Sequence, residues 1–381
     1  MKNKLCIQWF IEQHSDWEKL LSEKPYCISI SRDVMFGHRL IMFKYSQIDS
    51  DFNIELVREC RGIILDEDTL EIVSYAFDKF GNVNESYVPT LDAKSMKSTV
   101  KIDGSIFKIV KLGNDLLMST NGTISAFSAP VPDQIGCNFK SFGEIAVDVL
   151  TKKFGSIDEF KKHLDEGYTY IFELVSPWTR VVTPFHDSDL YLIGCRNNKT
   201  YEEIFFKDIE LANYFKTPDI LDFSTIEDCL KYASSLDWTN EGFVVMDKNF
   251  NRVKVKNPTW LSVHHLCENH TMSYARAIEI VKANEIDEVL GYFPEFKTAL
   301  EDVKTRYNDL IASLNESWLA YNQLDPFLIE TRKDKAIWIQ KNFKVPAVGF
   351  MLIDDKVESV ADWAKHVPAK NLVKILGFKE Q

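Results

Sequence analysis

The chain has 381 residues, 45% hydrophobic and 27% charged, which is the make-up of a globular protein with room for two domains. A net charge of −12 excludes a general electrostatic grip on nucleic acid, so any such site has to be a local basic cleft. Seven scattered cysteines with no Cys-x-x-Cys argue for reduced thiols in a cytoplasmic protein rather than a disulfide framework, and no apolar run approaches a membrane span.

Along the chain, Leu5, Ile7, Trp9, Phe10, Ile11, Trp17, Leu20 and Leu21 recur mostly at helical spacing, predicting a short amphipathic helix that caps a sheet. Met1–Gln13 turns polar too soon for a signal peptide. Residues 27–30 and 40–45 read as strands. Next, Arg58-Glu59-Cys60-Arg61-Gly62 runs into the apolar strand Ile63-Ile64-Leu65, so Arg61 stands at a strand mouth. There its guanidinium fits either a phosphate or a surface ion pair. Lys79 falls in a loop after Tyr75-Ala-Phe-Asp.

The stretch Thr99-Val100-Lys101-Ile102-Asp103-Gly104-Ser105 reads as strand, tight Asp-Gly turn and second strand, with Lys101 at the end of the first. A lysine there is held on rigid backbone beside a glycine that lets phosphates come close. It becomes a nucleophile only when neutral, and an ordinary lysine pKa of roughly 10.4 forbids that at pH 7. Neighbouring cations or desolvation therefore have to depress it. A third strand ends at Asn121-Gly122, and residues 141–164 read as helix broken at Gly155-Ser156. In the strand 168–175, Glu173 is a charge inside an apolar run, expensive unless paired or used. Strands at 190–196 and 201–206 follow, then a helix at 224–236 with Ser224 as its cap.

After Asn240-Glu241, Gly242–Met246 and Arg252–Lys256 read as a hairpin whose second strand alternates, Val253 and Val255 to one side and Lys254 and Lys256 to the other. Two ammonium groups on one face repel unless an anion lies between them; a polyphosphate or a guarded sheet edge accounts for the pattern. Beyond Asn257-Pro258 the pattern turns helical, clearest from Phe296 to Tyr321. Here 259–330 holds 5 Lys/Arg against 12 Asp/Glu, net −7, whereas 331–381 holds 10 against 6, net +4; the tail is either an ordinary solvated charged face or the candidate RNA-facing surface. No phosphate loop, dinucleotide fingerprint or His-Glu-x-x-His is present. His264, His265, Cys267 and His270 lack a second ligand pair at zinc spacing.

In order, Glu59-Cys60-Arg61-Gly62, Lys79-Phe80, Lys101-Ile102-Asp103-Gly104-Ser105, Phe172-Glu173, Glu241-Gly242-Phe243-Val244-Val245 and Lys254-Val255-Lys256 resemble the motif set of covalent nucleotidyltransferases. Within that superfamily the pattern is most similar to the ATP-dependent RNA ligases of T-even phages and their relatives, over roughly residues 40–265. The ordered set is far more specific than any member. The resemblance implies that Lys101 attacks the α-phosphate of ATP and carries AMP as a phosphoramidate. AMP then passes to an RNA 5′-phosphate, and a 3′-hydroxyl displaces it. It assigns Arg61 and Lys79 to phosphate contacts, Glu173 to the ribose and metal, Glu241 to Mg2+ or Mn2+, and Lys254 and Lys256 to the α-phosphate. Val100, Asp103 and Gly104 fall in the nucleotide-binding motif, and Tyr45 and Trp260 align with aromatic positions near the nucleotide. Two positions depart from the family: Gly81 replaces an aromatic residue, and Asn121 replaces a lysine.

The expected fold is α+β: a nucleotidyltransferase domain of antiparallel sheets flanked by helices at 1–258, then an all-helical domain at 259–381 serving RNA specificity. The expected partners are ATP and RNA bearing 5′-phosphate and 3′-hydroxyl ends, with transfer RNA repair as one use, acting as a monomer. A DNA ligase or capping guanylyltransferase shares the lysine motif, but a strand-rich barrel normally follows it there. An inactive relative that binds RNA ends is the remaining alternative.

Overall fold

A computed structural model describes residues 4–83, 85–132, 137–266 and 272–378. The chain divides into two compact units, Met1–His264 and His265–Gln381. The expected boundary at 258/259 coincides with the first turn of helix Pro258–Leu266, whose Trp260 and Val263 are buried within the first unit.

The first unit carries strands β1 (Ile28–Met35), β2 (His38–Tyr45), β3 (Arg61–Asp66), β4 (Ile72–Ser74), β5 (Lys97–Val100), β6 (Ser105–Leu112), β7 (Asp115–Thr120), β8 (Tyr168–Val175), β9 (Asp189–Asn197), β10 (Glu203–Ile204), β11 (Ile220–Leu221), β12 (Gly242–Met246) and β13 (Arg252–Lys256). They form three sheets, ordered β1-β2-β3-β4, β10-β9-β8-β6-β7 and β11-β5-β12-β13, with antiparallel pairing between neighbouring strands. Period-2 alternation gives each sheet two apolar faces or one. Leu40, Met42 and Ile64 of the first sheet meet Val110 and Leu117 of the second in one cluster. Helix Phe142–Phe154, capped by Ser141 Oγ on the Glu144 amide, closes the other face of the second sheet with Ile145, Ala146, Val149 and Leu150. Helix Ile226–Ala233 covers Phe243, Val245, Val253 and Val255 of the third. Each such large side chain, fully buried, contributes on the order of 1.5–3 kcal/mol. The valine side of β13 is therefore committed to the core, and Lys254 and Lys256 have to face the other way.

Four local expectations change. The N-terminal helix is two, Cys6–Gln13 and Trp17–Ser22, since the polar His14–Asp16 interrupts it. The strand expected at 201–206 shrinks to Glu203–Ile204, because Tyr201 takes φ +63° and Phe206 opens a short 3-10 turn. Thr225, not Ser224, caps the helix that follows, accepting from the Asp228 amide. The largest change concerns Lys101: β5 and β6 are not a hairpin but belong to different sheets, and residues 101–104 cross between them.

The second unit is helical throughout its described residues. Its longest helix, Lys297–Asn322, buries Leu300, Val303, Leu310, Leu314 and Tyr321, the stripe its periodicity predicts. Helices Tyr274–Ala283, Ile286–Tyr292, Arg332–Asn342, Pro346–Ile353, Val360–His366 and Ala369–Ile375 accompany it. Among the described residues no helix is long and apolar enough to cross a membrane.

Candidate active site

Register brings the central charges together. Phe243 pairs with Val100 on one side of β12 and with Val255 on the other, so residue 241 stands between the end of β5 and the end of β13. The Lys101 amide donates to Gly242 O at 2.8 Å, which fixes the backbone of Lys101 to the first residue of β12. Gly242 has φ +125°, and a Cβ there would lie 2.2 Å from Val255 O, so only glycine fits. The result is a row of three: Lys101 Nζ lies 2.6 Å from Glu241 Oε2, and Lys256 Nζ lies 3.7 Å from Glu241 Oε1.

The crossing from β5 to β6 is held by Asp103 rather than by a turn. Its Oδ2 accepts from the amides of Val182 (3.0 Å) and Thr183 (2.6 Å) and from Trp260 Nε1 (3.2 Å). With three donors converging on one oxygen, this Asp-Gly dipeptide is a tether between sheets, which is why local turn chemistry mispredicts it. At Gly104 a Cβ would sit 2.5 Å from Leu174 O and 3.0 Å from Glu173 Cγ, so the backbone packs directly on β8. Glu173 opposes Ile106 across the β6–β8 pair and faces the same space as Lys101.

A third group closes the opposite wall. Phe80 lies between two cations, Arg61 Cζ at 5.2 Å and Lys254 Nζ at 5.1 Å from its ring centroid. Gly81 O accepts from the Lys254 amide at 2.8 Å, and Val83 N donates to Lys254 O at 3.0 Å, so residues 81–83 run beside β13. A Cβ at Gly81 would lie 2.4 Å from Glu85 Oε2 and 2.8 Å from the Tyr87 hydroxyl. A side chain at position 81 would have to displace the Glu85 carboxylate and the Tyr87 hydroxyl, which fill that space here. Lys256 Nζ lies 4.8 Å over the ring of Trp260, itself buried and stacked on His264.

These groups line a cavity of about 310 Å³. Of the sequence-predicted residues it gathers Arg61, Val100, Lys101, Asp103, Gly104, Glu173, Glu241, Lys254, Lys256 and Trp260. Tyr45 and Lys79 are not in its lining. They contact each other instead, Lys79 Nζ lying 5.3 Å over the Tyr45 ring, 4.7 Å over Phe52 and 3.1 Å from Gln47 Oε1. Sequence reasoning missed the apolar lining of Phe77, Ile106, Ile193, Phe206, Val244 and Met246, and also Arg252. The alternation of β12 and β6 marks Val244, Met246 and Ile106 as facing opposite to the core side, a signal open to a reader who knows the pairing. Phe77, Ile193 and Phe206 carry none. Arg252 is fixed by a bidentate pairing with Glu203, which also binds Arg196.

Electrostatics set the protonation states. Burial alone would drive the Lys101 amine down, but Glu241, Glu173 and Asp103 outweigh it and hold it above the ordinary lysine value. This corrects the expectation that cationic neighbours depress it, because Glu241 stands between Lys101 and Lys256. The depression falls on Lys254, brought to about 6 by burial and then by Arg61, Lys79, Lys101 and Lys256. Burial likewise lowers Lys256, against the pull of Glu241, and Lys79, with help from Arg61. Burial raises Glu173 to about 7, against the pull of Lys101. Arg61 and the amines of Lys101, Lys254 and Lys256 above an apolar floor are suited to a polyanion carrying a flat apolar head.

Metal-ligand groupings elsewhere do not compete. Cys6, Glu55 and Glu59 lie close enough to share an ion. However, Glu59 already accepts from the Cys6 amide (3.1 Å) and the Ile7 amide (3.0 Å), capping the first helix. Of the histidine cluster, Cys267 and His270 lie outside the described residues.

On an α+β scaffold, Lys101 and Glu241 at strand ends and Glu173 within β8 gather beside a basic wall, an arrangement suited to phosphate groups. Residues 59–260, more than half of the chain, match the family described as RNA ligase, and the chain belongs to that family. It is 28% identical over 304 residues to a protein of Autographa californica nuclear polyhedrosis virus named as a bifunctional polynucleotide kinase/RNA ligase. That match covers 75% of this chain but 42% of the viral protein, so the chain spans less than half of that relative. It is 25% identical over 378 residues to the RNA ligase of Rhodothermus phage RM378, covering 84% of each. Among solved structures, an archaeal ATP-dependent RNA ligase aligns over 99% of this chain and 100% of its own, with 12% identity and a TM-score of 0.46.

Proposed function

We propose that this member of the RNA ligase family joins RNA 5′-phosphate and 3′-hydroxyl ends with ATP, through an adenylate on Lys101. The observation that supports it best is the position of the Lys101 amine, in a cavity of nucleotide size, with Lys254, Lys256 and Arg61 around it and Glu241 at 2.6 Å. Lys101, once neutral, attacks the α-phosphorus; a P–N bond forms, and the P–O bond to the β-phosphate breaks, so that pyrophosphate leaves with the electron pair. Arg61, Lys254 and Lys256 supply positive charge where charge develops, which is most of what phosphoryl transfer requires. Glu173 stands where a ribose hydroxyl can donate to it, and the apolar floor takes the base. An RNA 5′-phosphate oxygen then attacks the same phosphorus, returning the Lys101 amine. Finally the 3′-hydroxyl attacks the 5′-phosphate, and AMP departs.

Two carboxylates that line the cavity, Glu241 and Glu173, are hard oxygen donors and would hold Mg2+ or Mn2+. Such an ion supplies positive charge at the α-phosphate. Glu241 is also the group that holds Lys101 protonated, so drawing this carboxylate away from Nζ releases the amine for attack. The helical unit, with its basic stretch at 331–381, is the proposed RNA-specificity element, and Tyr45 and Lys79 are proposed outer contacts for phosphate or RNA.

Incubation with ATP carrying a labelled α-phosphate, then with RNA or DNA ends, tests this reading. An acid-labile adduct lost in Lys101→Ala, followed by sealing of RNA, is expected. Labelling by GTP rather than ATP, or sealing of DNA alone, would reassign the chain to another nucleotidyltransferase. An undiminished adduct in Lys101→Ala would overturn the reading, and no adduct in the wild type would leave a binding protein for RNA ends.

A further inference from the structure

β3 starts irregularly. Phe43 pairs with Ile63 and Lys44 with Arg61, so Gly62 has no opposite number on β2 and forms a bulge. Gly62 takes φ +76°, and a Cβ there would lie 2.7 Å from both Cα and O of Asn121. Glycine is thus the residue that this bulge accepts. The bulge matters because the residue before it is Arg61, whose guanidinium lines the cavity. A bulge beside a site re-aims a neighbouring side chain, and whatever fixes the bulge fixes that aim.

Lys108 is the group that touches it. Lys108 lies on β6 two residues beyond Ile106, on the face that lines the cavity at Ile106, and it is 0% exposed. Its Nζ donates to Gly62 O. Ile171 and Ser119 stand opposite it on the two neighbouring strands, and Ile106 and Val110 flank it along its own face. Burial first, and then Arg61, a second cation, lower its pKa to about 7. No ion pair offsets this among the described residues. For the core alone a methionine of similar length would serve better, since burying an amine costs free energy whereas burying apolar surface is favourable. The amine is therefore placed for its hydrogen bond.

We propose that Lys108 is a positioning residue: its amine clamps the carbonyl of Gly62 and so fixes the bulge that aims Arg61 into the cavity. This rests on the reading of Arg61 as a phosphate contact. The test is a cycle of four proteins: wild type, Lys108→Met, Arg61→Ala and the double variant. Each is assayed for Lys101 labelling over a range of ATP concentrations, with melting temperature measured alongside. Lys108→Met is expected to melt no lower than the wild type and to need about tenfold more ATP for half-saturation, as for loss of one charge-assisted contact. The double variant is expected to be no worse than Arg61→Ala, because Lys108 acts through Arg61. Multiplied losses in the double variant, or unchanged half-saturation in Lys108→Met, would overturn the proposal. Should Lys108→Met not fold, Lys108→Leu, which likewise carries no donor, takes its place in the cycle. If the wild type forms no adduct, the adenylate reading fails on its own. The same cycle is then read by calorimetric binding of inorganic triphosphate, where coupling between the two sites upholds the clamp, and additivity or absence of binding refutes it.

Discussion

Lys101 and Asp103 sit two positions apart and do opposite kinds of work. Lys101 is held protonated by Glu241 at 2.6 Å, so replacing Glu241 by glutamine removes the largest opposing charge and lets burial pull the amine down. A lower pKa leaves proportionately more of the amine neutral at a pH below it. The expected outcome for Glu241→Gln is faster acylation of Lys101 at pH 8, read by peptide mapping, together with loss of adenylate formation. Equal acylation rates in the two proteins would show that the ion pair does not control the amine. Asp103→Asn tests the other kind of role. Its Oδ2 receives two amides and an indole, and a neutral amide holds these donors less strongly. A loss of about 2 kcal/mol, or roughly 4–8 °C in melting temperature, is expected from calorimetry. The Lys-x-Asp-Gly motif was legible as residue types. That its aspartate ties two sheets together was not, because the partners lie at 182, 183 and 260, and no local pattern records them.

At the scale of elements, alternation made the β12–β13 hairpin readable, since a strand with one face committed to Cys229, Phe243 and Val245 has to point its lysines elsewhere. The same reasoning failed for β5 and β6. Asp-Gly favours a hairpin turn, and only the pairing of β5 with β12 and of β6 with β8 reveals the crossing. The lysine strand carries its own prediction. Lys254 sits at about 6, so it is mostly neutral at pH 7.5, and a bound polyphosphate raises its pKa by attraction. Raising a base's pKa through the working pH takes up protons, so ATP binding at pH 7.5 is expected to absorb a proton, in part or whole. Calorimetry in buffers of different ionisation enthalpy measures it. Lys254→Met should remove most of that uptake, whereas uptake equal to the wild type would place the titrating group elsewhere, Glu173 at about 7 being the alternative.

For the molecule as a whole, the composition shift after Pro258 announced a second, helical unit, and the sign change in charge between 259–330 and 331–381 marked its two halves. What the sequence did not reveal is that these halves share one core. Helices Val360–His366 and Ala369–Ile375 pack on Lys297–Asn322 and Tyr274–Ala283, whose Leu300, Val303, Ala277 and Ile278 are buried. Deleting 331–381 alone would expose that stripe and yield an aggregating chain, at about 1.5–3 kcal/mol for each large side chain uncovered. The separable cut lies after residue 266, where the compact first unit has ended and every residue lining the cavity has been retained. A chain ending there is expected to form the Lys101 adenylate at a rate within a few-fold of the full chain while sealing structured RNA far less well. Labelling and sealing assays on the same preparations measure both. If the two activities fall by the same factor, the helical unit supports the first unit's chemistry rather than its choice of RNA, and the basic stretch at 331–381 loses its assigned role.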